Sequence, residues 1–151
     1  MKDFEAVNFP TPTGAVLALR HRPAQGTACG VVQINHGLAE HSGRYTRFAG
    51  ALAEKGFHVY AQDHRGHGAT LAPDAPRGCF ALQGGVEKLL ADIEAVHTRI
   101  AATHGALPLI VFGHSMGGLV ALNVVRRRSR HLAGAAIWNA NFSAGVMARL
   151  A

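Results

Sequence analysis

The chain has 151 residues, of which 48% are hydrophobic, and its 15 Lys and Arg against 9 Asp and Glu give a formal net charge of +6. This length and composition favour one domain with a single core, without internal repeats or linkers. No apolar run approaches the roughly 20 residues that span a bilayer, and the N-terminus lacks the pattern of a signal peptide, so we expect a cytoplasmic protein.

The N-terminal part of the chain predicts strands. Alternating residues at 5–9 and 16–21, separated by turn residues, indicate an antiparallel hairpin. The continuous run Gly30–Asn35 is typical of a strand covered on both faces. Cys29 is expected to be buried at the start of this strand. Free thiols are expected for both cysteines, although spacing alone leaves a disulfide with Cys79 open.

Helices and strands then alternate along the chain. Ser42 is the predicted N-cap of a helix over residues 45–55, which Gly56 ends. The segment Phe57–Gln62 is predicted to be the next buried strand, and the glycine- and proline-containing stretch 63–80 to be a long loop.

The second half of the chain continues this alternation. Apolar residues at helical spacing predict an amphipathic helix over 86–104, on which Asp92 and Glu94 are expected to face solvent. Strands at 109–112 and 135–138 flank a further helix. Four parallel strands with helices between them indicate an α/β fold, a three-layer α/β/α sandwich whose mostly parallel sheet begins with the antiparallel hairpin.

The segment GHSMGG, residues 113–118, connects a predicted strand to a predicted helix. In a GxSxG turn the serine occupies a strained corner, and a side chain larger than hydrogen at either flanking glycine collides with neighbouring backbone. Ser115 would be this serine, and Gly113 and Gly117 would be these glycines. The sequence therefore predicts a nucleophile elbow that lifts the Ser115 hydroxyl to the top of the sheet, beside the N-terminus of the following helix.

Stabilisation of a tetrahedral oxyanion requires two hydrogen-bond donors, and the residue after the nucleophile, Met116, supplies only one backbone N–H. His36 and Gly37 follow the strand Gly30–Asn35. Gly37 allows a bend that can direct the N–H of Leu38 toward the serine corner. We therefore expect Leu38 and Met116 to form an oxyanion hole.

Three segments carry a family resemblance: HGLAEHSGRY at 36–45, DHRGHG at 63–68 and GHSMGG at 113–118. In this order they resemble the monoglyceride lipase and lysophospholipase branch, of serine aminopeptidase S33 type, of the α/β-hydrolases. The resemblance extends from Phe4 to about Phe142. It implies a serine ester hydrolase acting on glycerol or lysophospholipid esters without a cofactor.

The resemblance also assigns individual roles. It implies that Ser115 is the nucleophile and that the backbone of Leu38 and Met116 forms the oxyanion hole. It further implies that the histidines within these three segments are hydrogen-bonding residues that shape the pocket loops, with His114 packed under the elbow and His36 in the oxyanion loop.

The sequence does not contain the usual partners of the serine in the usual places. Hydrolases of this fold carry the acid and then the histidine after the nucleophile, but no carboxylate follows Glu94 and only His131 follows Ser115. A helix over 115–129 would separate the two by roughly 20 Å, too far for proton transfer. We therefore interpret residues 1–151 as the N-terminal part of one hydrolase domain, ending at the start of the lid region.

Other interpretations remain open. The chain could be a non-catalytic remnant, a module that binds an acyl chain or a protein with this fold, or one half of an obligate heterodimer. A further hypothesis is that a histidine of the motifs replaces the base: His36, His41 or His114.

Local charges favour structural roles. Glu40 and Arg44 are spaced for an ion pair, with Glu40 the main candidate for a pocket role, and Asp63, Arg65 and His67 are expected to lock their loop.

Several cationic and histidine-rich features have alternative explanations. Arg126, Arg127, Arg128 and Arg130 could contact acidic lipid headgroups at a membrane surface, but cations at a helix C-terminus also complement the helix dipole. Ten histidines show no HExxH spacing, so no metal site is predicted, and His58, His97 and His104 are expected to be fillers.

Two expectations concern partners. Nucleic-acid binding has no recognised motif or aromatic platform in this sequence. In the isolated chain, the strand at 134–138 would form an apolar edge of the sheet, which predicts dimerisation of the isolated chain through that edge.

Overall fold

A computed structural model of the chain describes residues 4–142. The predicted lid region, from Ser143 onward, lies outside the described residues. The sheet contains six strands, which are β1 Ala6–Pro10, β2 Val16–Arg22, β3 Gly30–Asn35, β4 Phe57–Gln62, β5 Leu109–His114 and β6 Gly134–Trp138. The helices are α1 Thr46–Glu54, α2 Gly85–His104 and α3 Met116–Arg128, with short 3₁₀ turns at Ser42–Tyr45 and Ser129–His131.

The strands follow the spatial order β1-β2-β4-β3-β5-β6. The pairs β1–β2 and β2–β4 are antiparallel, whereas β3 lies parallel to both β4 and β5, and β6 is parallel to β5. The mostly parallel sheet with an antiparallel hairpin at its start is thereby confirmed. The parallel strands all end at the same edge of the sheet, where loops after β3, β4 and β5 meet.

Helices cover both faces of this sheet. On one face α1 contributes Ala49 to a cluster with Val32, Ile34 and Val59 of the neighbouring strands. On the other face, α2 and α3 pack against β5 through a cluster that includes Val111. All six residues of β3 are buried, so both faces of this strand are covered by helices. This arrangement is the predicted three-layer sandwich of helices, sheet and helices.

Ser42 was expected to cap the first helix, and this expectation is wrong. Neither the 3₁₀ turn that begins at Ser42 nor α1 has a side-chain cap hydrogen bond. The Ser42 hydroxyl donates instead to Oδ1 of Asp63 at 2.5 Å, and the Ser42 N–H donates to the same oxygen at 2.7 Å. A carboxylate from the loop after β4 accepts both donors, so Ser42 is buried and tied to that loop.

Asp92 was expected to face solvent, and this expectation is also wrong. Its side chain is buried, and one carboxylate oxygen lies 2.9 Å from Nε of Arg65, which is itself fully buried. The other oxygen accepts hydrogen bonds from the hydroxyls of Thr11 and Thr13. Glu94 is exposed as expected and pairs with Arg128 of α3. The buried pair of Asp92 and Arg65 connects α2 to the loop after β4. The hydrogen bonds from Thr11 and Thr13 to Asp92 connect α2 to the β1–β2 turn.

The two cysteines are free. Cys29 was expected to be buried, and this expectation is wrong. Cys29 is exposed, because it lies one residue before β3 and the buried strand begins at Gly30. Among the described residues, no helix has the length and apolar content needed to cross a membrane.

Candidate active site

Ser115 lies at a sharp corner between β5, which ends at His114, and α3, which begins at Met116. Its φ of 53° is in the left-handed region, which a residue with a side chain rarely adopts. The Ser115 N–H donates to the carbonyl of Trp138 in β6 at 2.9 Å, which anchors the strained residue to the adjacent strand. The serine is thus held at the C-terminal edge of the sheet, directly before a helix N-terminus.

Backbone atoms approach both flanking glycines closely. A Cβ atom on Gly113 would lie 2.1 Å from the carbonyl oxygen of Gly117, and one on Gly117 would lie 2.0 Å from that of Asn35. Backbone carbonyls cannot move aside as flexible side chains do, so neither position accepts a larger residue without rebuilding the corner. The contact with Asn35 also presses the first turn of α3 against the end of β3.

The backbone donors expected to form the oxyanion hole come from these two segments. Met116 is the first residue of α3, where the N–H groups have no acceptor within the helix. Leu38 follows β3 in an exposed loop, with 58% of its surface accessible. Within residues 4–142, neither N–H donates a hydrogen bond to a protein acceptor.

His36 shapes the loop that carries Leu38. Its ring is buried, with Nδ1 2.7 Å from the carbonyl of Gly37, and Nε2 accepts the N–H of His64 at 2.9 Å. Burial lowers the pKa of His36 to about 4, so the ring is neutral at physiological pH. Because both ring nitrogens are engaged with backbone groups, the structure argues against His36 as a replacement base.

Glu40 connects the oxyanion loop to the elbow. Its Oε1 accepts the N–H of Gly37 at 2.5 Å and the hydroxyl of Tyr45 at 2.8 Å, and lies 2.9 Å from Nδ1 of His114. Burial raises the pKa of Glu40, but the hydrogen bonds from His114, Gly37 and Tyr45 outweigh burial and leave that pKa below its ordinary value. The ion pair expected with Arg44 forms at 3.4 Å through the other oxygen.

His114 therefore has a more specific position than packing under the elbow. Its side chain is 33% exposed and faces the carboxylate of Glu40. Its Nδ1 is occupied by that contact. Gly37 is also close to this pair, since a Cβ atom there would lie 2.8 Å from Oε1 of Glu40 and 3.3 Å from Nδ1 of His114.

An apolar groove of about 610 Å³ opens beside this pair. The aromatic residues among those that line it are Tyr45, Phe48, Phe112 and Trp138. Trp138 and Phe48 are exposed, at 66% and 39%. The sequence motifs contribute Glu40, Arg44, Tyr45 and His114 to this groove. They did not reveal its aromatic residues Phe48, Phe112 and Trp138, because these come from α1, β5 and β6 and no regular spacing joins them.

The loop after β4 is locked by internal contacts, as expected. Oδ2 of Asp63 accepts the N–H of Ala69 at 2.9 Å, while its Oδ1 binds Ser42. Burial raises the pKa of Asp63, but the hydrogen bonds from Ser42 and Ala69 outweigh burial and lower it below its ordinary value. Nδ1 of His67 lies 3.0 Å from the carbonyl of Arg65. These contacts fix the conformation of the loop.

Within residues 4–142, no histidine or carboxylate forms a hydrogen bond with the Ser115 hydroxyl. His131 ends the 3₁₀ turn after α3, a helix of 13 residues. At about 1.5 Å per residue this helix separates His131 from Ser115 by roughly 20 Å. His131 therefore cannot serve as the base of this serine.

The sequence and the fold are similar to those of known hydrolases. A model of the family described as serine aminopeptidase S33 matches residues 26–150. The monoacylglycerol lipase of Mycolicibacterium smegmatis is 40% identical over 89 residues, which are 59% of this chain and 30% of that protein. The monoglyceride lipase of Homo sapiens is 31% identical over 121 residues, which are 80% of this chain and 38% of that protein.

A similar solved structure is a thermostable carboxyl esterase from Bacillus coagulans in complex with glycerol. It matches with a TM-score of 0.77 and 28% identity, over 89% of this chain and 44% of that chain. The chain thus spans less than half the length of each of these three relatives.

Proposed function

Since the chain belongs to the serine aminopeptidase S33 family of α/β-hydrolases, we propose that it carries the nucleophile and oxyanion hole of a serine ester hydrolase for monoacylglycerols or lysophospholipids. The observation that carries the proposal is Ser115 in left-handed backbone between two glycines that accept no side chain. The names of the two lipase relatives support monoacylglycerols as the substrate.

In the proposed reaction the Ser115 oxygen attacks the acyl carbonyl carbon and loses its proton to a base. The N–H groups of Leu38 and Met116 donate hydrogen bonds to the oxyanion, while the helix dipole of α3 adds partial positive charge. The ester bond then breaks, and the departing alcohol takes the proton from the base. Water hydrolyses the acyl-serine in the reverse sense and regenerates the hydroxyl.

The base and its acid partner are proposed to lie outside residues 1–151, with this chain forming the N-terminal part of one hydrolase domain. Two observations support this assignment: no carboxylate follows Glu94 in the sequence, and His131 lies at the far end of α3. The apolar groove beside His114 and Trp138 has the character of a surface for an acyl chain or for further protein.

The test compares two proteins that differ in length. The gene is read beyond codon 151 for an Asp and a His at strand ends, and both the 151-residue chain and the longer product are assayed on a chain-length series of monoacylglycerols and on lysophospholipids. We expect hydrolysis by the longer protein, loss of hydrolysis in Ser115→Ala, and no labelling of the short chain by a fluorophosphonate probe. A longer protein that is folded, binds fatty acid and hydrolyses none of these esters would favour the second candidate, a non-catalytic acyl- or protein-binding module.

The proposal includes contact with a lipid surface. Arg126 and Arg130 are exposed, whereas Arg127 and Arg128 pair with Glu87 and Glu94 of α2, which favours the helix-dipole explanation for part of the cluster. Cosedimentation with anionic vesicles, but not with neutral vesicles, would support headgroup contact through the exposed arginines.

We also propose that the 151-residue chain on its own forms a dimer through β6, and that the protein is cytoplasmic. Within the described residues β6 pairs only with β5, and Ala135, Ala136 and Trp138 are exposed. Edge strands of this kind pair with other chains. A monomeric mass by light scattering would contradict the dimer. The free cysteines are compatible with a reducing compartment, which cell fractionation can test.

A further inference from the structure

Three histidines meet at the edge of the sheet opposite the nucleophile. His58 is level with Val31 of β3, which in turn is level with Leu109, the first residue of β5. Ser115 follows the last residue of β5. The six residues of β5, at about 3.3 Å each, therefore place the level of His58 roughly 20 Å from Ser115. Any ligand bound here would therefore occupy a second site.

The topology explains why these histidines converge. His58 and Tyr60 alternate onto the same face of β4, and His21 of β2 is directly opposite Tyr60 in the antiparallel register. The helix α2 covers this face and ends at His104. The ring centroids of His58 and His104 are 4.0 Å apart, and that of His21 lies 5.6 and 5.7 Å from them.

One ring nitrogen from each histidine lies within 4.8 Å of the other two. A tetrahedral zinc ion with bonds of about 2.0–2.1 Å requires ligand nitrogens roughly 3.3 Å apart. The ring nitrogens must therefore approach one another by at most about 1.5 Å. His21, His58 and His104 are all only partly buried, so their rings have room for this movement.

A second observation indicates that the cluster lacks a partner. Nε2 of His21 is buried, and no hydrogen-bond partner for it exists within the described residues. An unsatisfied buried polar atom destabilises a fold, and a coordinated metal ion would satisfy it. The position at the C-terminus of α2 adds partial negative charge from the helix dipole, which favours a cation.

The existing hydrogen bonds decide which nitrogens remain for an ion. Nε2 of His104 lies 2.8 Å from the hydroxyl of Tyr60, so its Nδ1 is the candidate ligand atom. Nδ1 of His58 accepts the N–H of Ala24 at the long distance of 3.2 Å. The proton of the His58 ring is therefore on Nε2. Nε2 can bind an ion only after this proton moves to Nδ1, and Nδ1 then no longer accepts the N–H of Ala24.

From this geometry we propose that His21, His58 and His104 bind one divalent transition-metal ion of the type that prefers imidazole, with Zn²⁺ as the main candidate. Water completes the coordination, as is usual when three protein ligands hold zinc. Tyr60 holds the ring of His104 from the side away from the ion, a role that second partners of metal-bound histidines commonly fill. Because the three rings must move closer before they can hold an ion, we expect weaker affinity than that of a preformed three-histidine site.

The test uses the untagged 151-residue chain after treatment with EDTA and desalting. Zn²⁺ is titrated by calorimetry, and Co²⁺ by absorption spectroscopy, in which tetrahedral coordination gives intense visible bands. We expect one equivalent of either ion to bind. His58→Gln and His104→Gln should each weaken binding at least tenfold, while His41→Gln and His131→Gln, which alter histidines outside the cluster, should leave it unchanged.

A measurement without substitutions covers the case in which a variant does not fold. Substoichiometric Co²⁺ should broaden the ring proton resonances of His21, His58 and His104 before those of His41 and His131. Absence of saturable binding would overturn the proposal. So would equal weakening in cluster and control variants, or broadening that begins at the exposed histidines. Since none of these measurements involves ester hydrolysis, they test the metal site independently of the proposed enzymatic function.

Discussion

Oε1 of Glu40 lies 2.9 Å from Nδ1 of His114, so a residue of the predicted oxyanion loop is bonded to the residue that precedes the predicted nucleophile. The same oxygen accepts the N–H of Gly37. One carboxylate therefore holds together two segments that are 74 positions apart in the chain.

We expect Glu40→Gln to destabilise the chain by about 1–2 kcal/mol, because hydrogen bonds to a charged group are stronger than neutral ones and the amide cannot accept all three donors equally well. Arg44→Gln is the matched control. It removes only the exposed partner of the other oxygen and should change stability by no more than about 0.5 kcal/mol. Urea unfolding monitored by Trp138 fluorescence measures both. Equal effects of the two variants would mean that the hydrogen bonds to Oε1 of Glu40 contribute no more to stability than the exposed ion pair with Arg44.

Gly113→Ala and Gly117→Ala should each cost about 3–5 kcal/mol or prevent folding, since the new Cβ atoms would lie 2.1 and 2.0 Å from backbone oxygens. Gly134→Ala provides the control, because nothing lies within 4 Å of a Cβ atom there. Soluble yield and the urea midpoint of the three variants are compared. Tolerance of alanine at Gly117 would contradict the close contact between α3 and the end of β3.

The stability of the chain should fall as the pH decreases from 6.5 toward 4. The pKa of His36 is lowered from 6.5 to about 4 in the folded chain. Between these values the unfolded chain binds more protons at this residue. The free energy of unfolding therefore falls as the pH falls, by about 3 kcal/mol for a shift of this size. The buried His97, with its pKa also lowered to about 4, adds to the same trend.

Histidine ring resonances in NMR spectra at pH 7.5 to 4.5 check this directly. The resonances of His36 should remain those of a neutral ring at pH 5, and urea unfolding at the same pH values should show the declining stability. A His36 ring that titrates near pH 6.5 would show that burial does not keep it neutral.

Asp92→Asn should destabilise the chain by about 3–5 kcal/mol, because it leaves the buried guanidinium of Arg65 without its closest counter-charge. Glu94→Gln, two positions along the same helix, removes a carboxylate that is exposed and should cost no more than about 0.5 kcal/mol. Thermal unfolding by circular dichroism distinguishes the two variants. A small effect of Asp92→Asn would mean that Asp74, 3.3 Å from Arg65, suffices to neutralise it.

The parts of the structure that depend on local pattern were predictable from the sequence. The periodicities of β3 and α2 and the spacing of the glycines around Ser115 determine those elements within a few residues. The family motifs extend the prediction to the fold of the whole described region, since they lie at the ends of β3, β4 and β5, where loops of a parallel sheet meet.

Partners from distant segments were not predictable in this way. Asp92 has the polar character of a surface position, and only the approach of Arg65 from another loop explains its burial. Ser42 has a typical capping sequence, but Asp63 competes successfully for its hydroxyl. The cluster of His21, His58 and His104 involves two strands and a helix end, so no spacing rule reveals it.

The close approach between Gly117 and Asn35 has a consequence for the timing of recognition. Because the two segments touch through main-chain atoms, no rotamer change can alter their separation. The amide groups that they carry thus keep one mutual arrangement before any ester arrives. In the proposed ester hydrolysis, the serine corner therefore needs no remodelling when an acyl group enters.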